Sequence, residues 1–76
     1  MPDAHELDVT RIEPHIRHAT IFATFDALNA GESFVIVNDH DPAPLRFQFQ
    51  ARHPRAFEWD YLELGPRTWK VRLTRT

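Results

Sequence analysis

Ser33-Phe34-Val35-Ile36-Val37 runs through aromatic and β-branched side chains with no polar residue between them. A run of this kind has no solvent-facing alternation, so it belongs in the middle of a sheet rather than at an edge. Upstream, Pro14 suits the first turn of a helix, where its missing N–H costs nothing. From Pro14 to Leu28 a rotation of about 100° per residue gathers Ile21, Phe22, Phe25 and Leu28 into one arc. Asn29-Ala30-Gly31 ends that helix, with Gly31 able to take the left-handed conformation after it. Earlier still, His5-Glu6-Leu7-Asp8-Val9 alternates polar and apolar, the period of a half-buried strand. Strand, helix and strand form a βαβ unit, in which the two strands are parallel and the crossover is right-handed.

Downstream of the central strand lies Asn38-Asp39-His40-Asp41-Pro42. Residues 42–53 admit two readings: Leu45-Arg46-Phe47-Gln48-Phe49-Gln50 alternates like a strand, while Asp41-Pro42 and Pro44 look like a helix start. We read a helix with Asp41 as N-cap, broken by His53-Pro54-Arg55. The last third reads as a hairpin. Phe57, Trp59 and Tyr61 share one strand face and Trp69, Val71 and Leu73 share one face of the next, with Gly65-Pro66 in the connection. Glu58 and Asp60 on the opposite face can pair across the hairpin with Lys70 and Arg72. The order β-α-β-α-β-β predicts an α+β two-layer sandwich: a four-stranded mixed sheet with two helices on one face.

Seventy-six residues leave room for a single domain, residues 1–76, and six Phe, two Trp and one Tyr are enough to close a small core without staples. The chain has no cysteine. That removes disulfides, thiolate metal sites, iron–sulfur clusters and every cysteine nucleophile, and it fits a reducing compartment. Met1-Pro2-Asp3-Ala4-His5-Glu6 is polar, lacks a basic residue and leads into no long apolar segment. Neither a signal peptide nor a membrane span is expected, and a cytoplasmic location is the simplest reading. Nine Lys and Arg against eleven Asp and Glu give a formal charge of -2. The basic residues Arg67, Lys70, Arg72 and Arg75 read as a solvated strand face, so no nucleic acid partner is expected.

Parallel strands send their following loops out at the same end of the sheet, where open α/β sheets place ligands. That end gathers His15 and His18, three apart at the start of the first helix, with Asn38, Asp39, His40 and Asp41 after the central strand. These six are the candidate ligand-binding residues. By helical angle His18 falls on the core-facing side, with His15 at the edge of the arc. His15, His18, His40 and Asp39 would make a first shell for a divalent metal, and a single imidazole could hold haem iron. The bland alternatives are equally concrete. A capped turn explains Asn38, Asp39 and Asp41, and H-x-x-H is otherwise a packed histidine beside a surface one. His5 and His53 have no evident partners. Ser33 has no glycine elbow, and Gly31 and Gly65 make no phosphate loop, so no catalytic residue is named.

The pattern Glu6-Leu7-Asp8-Val9, His18…Ile21-Phe22…Phe25-Asp26-Ala27-Leu28, Gly31-Glu32-Ser33-Phe34, Val37-Asn38-Asp39-His40-Asp41-Pro42…Pro44-Leu45, Phe57…Trp59…Tyr61-Leu62 and Gly65-Pro66…Trp69…Val71 resembles the domain-of-unknown-function family 2249. The resemblance covers residues 6 to 73, and Asn38-Asp39-His40-Asp41-Pro42 is its most specific part. The family is similar in layout to the TusA-like (SirA-like) sulfur carriers, which implies the same two-layer sandwich. Those carriers use a cysteine at the start of the first helix. Here that region reads Ile12-Glu13-Pro14-His15-Ile16-Arg17-His18, so persulfide transfer does not carry over.

The resemblance further implies a small bacterial or archaeal protein in a redox or nitrogen-oxide context, with a hemerythrin-like or redox protein as partner. The expectation is therefore an accessory domain binding a metal, haem or small ligand at the His/Asp cluster. Two alternatives stand beside it: a ligand-free protein-interaction module whose polar cluster is structural, and a small general-base enzyme using an imidazole oriented by Asp39.

Overall fold

β2 (Ser33–Asn38) lies inside a four-stranded sheet, between β1 (His5–Asp8) and β4 (Trp69–Arg75), with β3 (Phe57–Leu64) outside β4. This is a computed structural model that describes residues 5–76; residues 1–4 of the expected single domain lie outside the described residues. β1 runs parallel to β2, pairing His5 with Phe34 and Asp8 with Val37, and β4 runs antiparallel to both β2 and β3. Two helices, α1 (Pro14–Asp26) and α2 (Ala43–Arg52), complete the β-α-β-α-β-β order. The α+β two-layer arrangement is as the sequence predicts.

The unalternated run of β2 has the expected consequence: Phe34 and Ile36 are sealed on the helix side, and Val35 is buried on the other. Glu6 and Arg72 flank Val35 in register, so charged residues with aliphatic stems stand on either side of it. The helix-side core is one cluster of Val9, Ile21, Phe22, Phe25, Phe34, Ile36, Leu45, Phe49, Val71 and Leu73. It contains residues from both helices, which places α1 and α2 on the same face of the sheet. Phe49 is the hub of its aromatic part. Its ring centroid lies 4.4 Å from Phe22, 5.1 Å from Phe25, 5.5 Å from Phe57 and 6.4 Å from Trp59.

Several boundaries differ from the expectation. β1 stops at Asp8, and Val9 turns into a 3-10 segment, Val9–Arg11, where it is fully buried. Asp8 drives the turn. Its Oδ1 accepts from the Thr10 N–H at 3.0 Å and from the Thr10 hydroxyl, and that hydroxyl contact holds the carboxyl below its ordinary pKa. α1 ends at Asp26 rather than Leu28, and Gly31 is not the residue that follows it. Gly31 does take a positive φ of 88°, but it serves the sheet: its N–H donates to the Arg75 carbonyl at the mouth of the β2–β4 pair. Within α1, the Thr20 and Thr24 hydroxyls donate back to the carbonyls of Ile16 and Thr20, which satisfies two polar groups that would otherwise disfavour a helix interior.

The α2 N-cap is Pro42, not Asp41. Proline has no side-chain acceptor, so Asp41 does the work from one position earlier, its Oδ1 accepting from the Ala43 N–H at 3.0 Å. In the hairpin, Asp60 stands opposite Arg72 as expected, but Glu58 faces Thr74. Lys70 reaches across to Glu6 of β1 instead, at 3.4 Å. Antiparallel order requires the Glu58 placement, since Asp60 opposite Arg72 puts Glu58 opposite Thr74; beyond Tyr61 a bulge shifts the register, leaving Leu62 unpaired and exposed and placing Glu63 opposite Lys70. On the open face, acids thus occupy both outer strands (Glu6 and Asp8; Glu58, Asp60 and Glu63) and bases occupy β4 between them. No helix among the described residues is long and apolar enough to cross a membrane.

Candidate functional site

The loops that follow β1 and β2 do leave from one end of the sheet, and between them lies a small pocket of about 70 Å³. Val9, Ile21, Pro42 and Leu45 give it apolar walls, and Arg17, His18, Asn38, His40 and Asp41 give it polar ones. The parallel β1–β2 pair sets this convergence, because it carries the start of α1 and the turn into α2 to the same rim.

Four of the six sequence candidates, His18, Asn38, His40 and Asp41, line this pocket. His18 is exposed rather than core-facing, because the first turns of α1 stand at the rim and the buried arc starts only at Ile21. His15 and Asp39 do not line it. His15 Nε2 lies 3.4 Å from a Glu13 carboxylate oxygen, and both side chains are in solvent. Asp39 turns to its neighbour, its Oδ1 lying 2.8 Å from His40 Nδ1, and that imidazole holds the Asp39 carboxyl below the usual carboxylate range. Among the described residues, no three His, Asp or Glu side chains are grouped so as to hold a metal ion.

Asn38 is the one polar residue of the described chain that is buried, at 8% exposure. Its Oδ1 accepts from the Asp39 N–H at 2.9 Å, which fixes the orientation of the carboxamide. Asp41 is a junction. Its Oδ1 also accepts from the Tyr61 hydroxyl at 2.8 Å, tying the β2–α2 turn to β3, twenty residues away. Tyr61 in turn lies edge-to-face with Trp59 and with Trp69.

Burial, then the hydrogen bond to Asp41, raises the Tyr61 phenol above its ordinary value of 10.0. The folded chain therefore keeps this proton more tightly than the unfolded chain does. Any stability linked to it is complete below pH 10 and is lost as pH rises through the raised value. Tyr61 is the only tyrosine, so an ultraviolet titration reads it alone. Asp41→Asn is expected to bring the phenol's midpoint down toward 10.0; an unmoved midpoint would count against the contact.

Sequence reasoning missed two participants, and a contact of His53 away from the pocket. Arg17 lines the pocket and donates from Nη2 to the Ile12 carbonyl at 2.9 Å. Its place one residue before His18 gave no sign of this, because a guanidinium reaches well beyond the face its Cα occupies. Tyr61 reads from the sequence as a hairpin-face aromatic, with no sign that its hydroxyl meets Asp41. His53 has a partner after all: Nε2 lies 3.2 Å from Asp26 Oδ1, and the ring packs 4.8 Å from Phe25. The contact does not form a hydrogen bond, and His53 Nε2 is left without one.

No curated protein and no solved structure matches the chain. One family model does, over residues 6–75, and it therefore spans both strands and both helices that build the pocket. The chain belongs to the family described as uncharacterized conserved protein DUF2249.

Proposed function

We propose that this chain is a small binding domain whose ligand sits in the pocket between the start of α1 and the Asn38–Pro42 turn. The observation that supports the reading is the convergence of Arg17, His18, Asn38, His40 and Asp41, drawn from two separate segments, around an apolar floor. Pockets that bind small molecules have this composition, mostly apolar with a few converging polar groups. A metal ion at His18 or His40 belongs to the same reading, with the remaining ligands coming from outside the protein, whereas a haem macrocycle is far larger than the pocket's roughly 70 Å³.

Thermal melts test it. A panel of divalent ions, haem and small organic molecules is screened against the native chain, and a true ligand stabilises with the logarithm of its concentration over Kd, by about 2.7 kcal/mol at a hundredfold excess. The rise in Tm is expected to vanish in the triple variant Arg17→Ala, His18→Ala, His40→Ala. The same rise in that variant, or no rise with any probe, would overturn the proposal.

A second reading, a protein-interaction module, draws support from Phe47 and Leu64, which are 71% and 66% exposed. Exposed large apolar side chains are frequent contributors to interfaces. It takes the place of the first if the pocket is silent to every probe.

A further inference from the structure

We infer that the pocket is built for a small anion, a short-chain carboxylate, held by the Arg17 guanidinium and the Asn38 carboxamide. The inference rests on the binding reading above and names the ligand's chemistry.

The first support is a surplus of donors. Arg17 Nη2 is anchored on the Ile12 carbonyl, yet its Nε–H is out of solvent with no hydrogen-bond partner. A buried donor on a permanent cation is costly to leave unpaired, and an acceptor bearing negative charge is its natural complement. Asn38 adds to the surplus. Its oxygen accepts from the Asp39 N–H, while Nδ2 and its two hydrogens have no partner among the described residues, in a side chain that is nine-tenths buried in the pocket wall.

The second support is that donors outnumber the acidic groups at the rim. Asp39 does not line the pocket and lies against His40 Nδ1. Asp41 does line it, and its Oδ1 takes both the Tyr61 hydroxyl and the Ala43 N–H, which leaves Oδ2 as its one free acceptor. Against that one carboxylate stand a guanidinium and two imidazoles, His18 and His40.

The third support is shape. About 70 Å³ admits only a few heavy atoms, and Val9, Ile21 and Leu45 offer apolar contact to a short alkyl tail. A planar carboxylate matches a guanidinium edge, and its tail matches those walls.

The test is a nitrogen-15 NMR titration of the whole chain at constant ionic strength, reading the Arg17 Nε–H and the Asn38 side-chain amide. The probes are propionate, its neutral isostere propionamide, inorganic phosphate and zinc. Propionate is expected to shift both signals saturably, and propionamide to leave them in place. Arg17→Lys is expected to weaken propionate roughly tenfold, since a point charge cannot replace a planar pair of donors. Asn38→Asp, which puts a carboxylate in the wall, is expected to abolish binding, and it serves as the second variant should an Arg17 variant fold poorly. Phosphate shifting both signals where propionate does not would keep the anion and overturn the carboxylate. Shifts with propionamide or zinc but with neither anion would overturn the inference and leave the binding reading standing. Silence to all four probes, together with flat thermal melts across the wider panel, would end both.

Discussion

Phe49→Ala is expected to cost about 4 kcal/mol and to leave the chain near its unfolding threshold at room temperature. Phe49 has no exposed surface and sits among Phe22, Phe25, Phe57 and Trp59. Truncation removes the ring's transfer energy and opens a cavity that rigid aromatic neighbours fill poorly. A domain of 76 residues has a total stability of roughly 4–11 kcal/mol, so the loss is a large part of the whole. At roughly 4–8 °C per kcal/mol the melting temperature falls by about 16–32 °C. Phe47, two residues earlier on the same helix and 71% exposed, is the control. Phe47→Ala is expected to change stability by under about 0.5 kcal/mol. Equal effects at the two positions in a thermal melt would contradict the helix placement.

The second large effect is expected at Gly65. Its φ is +68°, and a Cβ built there would lie 2.6 Å from Trp69 Cε2 and 2.8 Å from Nε1. Gly65→Ala therefore meets two separate costs. The left-handed backbone disfavours any L side chain by about 1–2 kcal/mol, and overlap with the indole adds about 1–3 kcal/mol. Trp69 has little freedom to retreat, since its ring packs against Tyr61, whose hydroxyl holds Asp41. A loss of about 3 kcal/mol in urea denaturation is expected, with a changed near-ultraviolet spectrum from the displaced aromatic rings. A loss below about 1 kcal/mol would show that the indole swings aside freely.

Much of the fold was legible because its segments obey a single period. The unbroken Phe34–Val37 run identified the inner strand, and the 3.6-residue arc of Ile21, Phe22 and Phe25 identified α1. The alternations of Phe57, Trp59, Tyr61 and of Trp69, Val71, Leu73 identified the hairpin. Leu45 to Gln50 was ambiguous because Leu45, Phe47 and Phe49 satisfy a strand's alternation. Only Leu45 and Phe49, four apart, are buried, and Phe47 is left in solvent. The bulge at Leu62 did leave a mark in the sequence: Tyr61 and Leu62 are adjacent apolar residues, so the alternation of Phe57, Trp59 and Tyr61 slips by one position there.

The site was legible to the extent that topology determines it. Parallel pairing of β1 and β2 is enough to bring His18 and His40 to one pocket. Finer direction was not available from spacing. His15 goes to Glu13 and Asp39 to His40 because each finds a partner one or two residues away. Tyr61 reaches Asp41 only because β3 lies where it does in the sheet, a long-range fact with no local signature.

The charge layout of the open sheet face bears on how copies of this chain meet one another. β1 and β3 are the two free borders of the sheet, and both carry carboxylates, while the cations are confined to β4 inside. A second molecule approaching border to border would bring like charge against like charge, so growth into a continuous intermolecular ribbon is opposed at neutral pH. Acid or high salt weakens that repulsion, and these are the conditions under which the chain is most prone to aggregate.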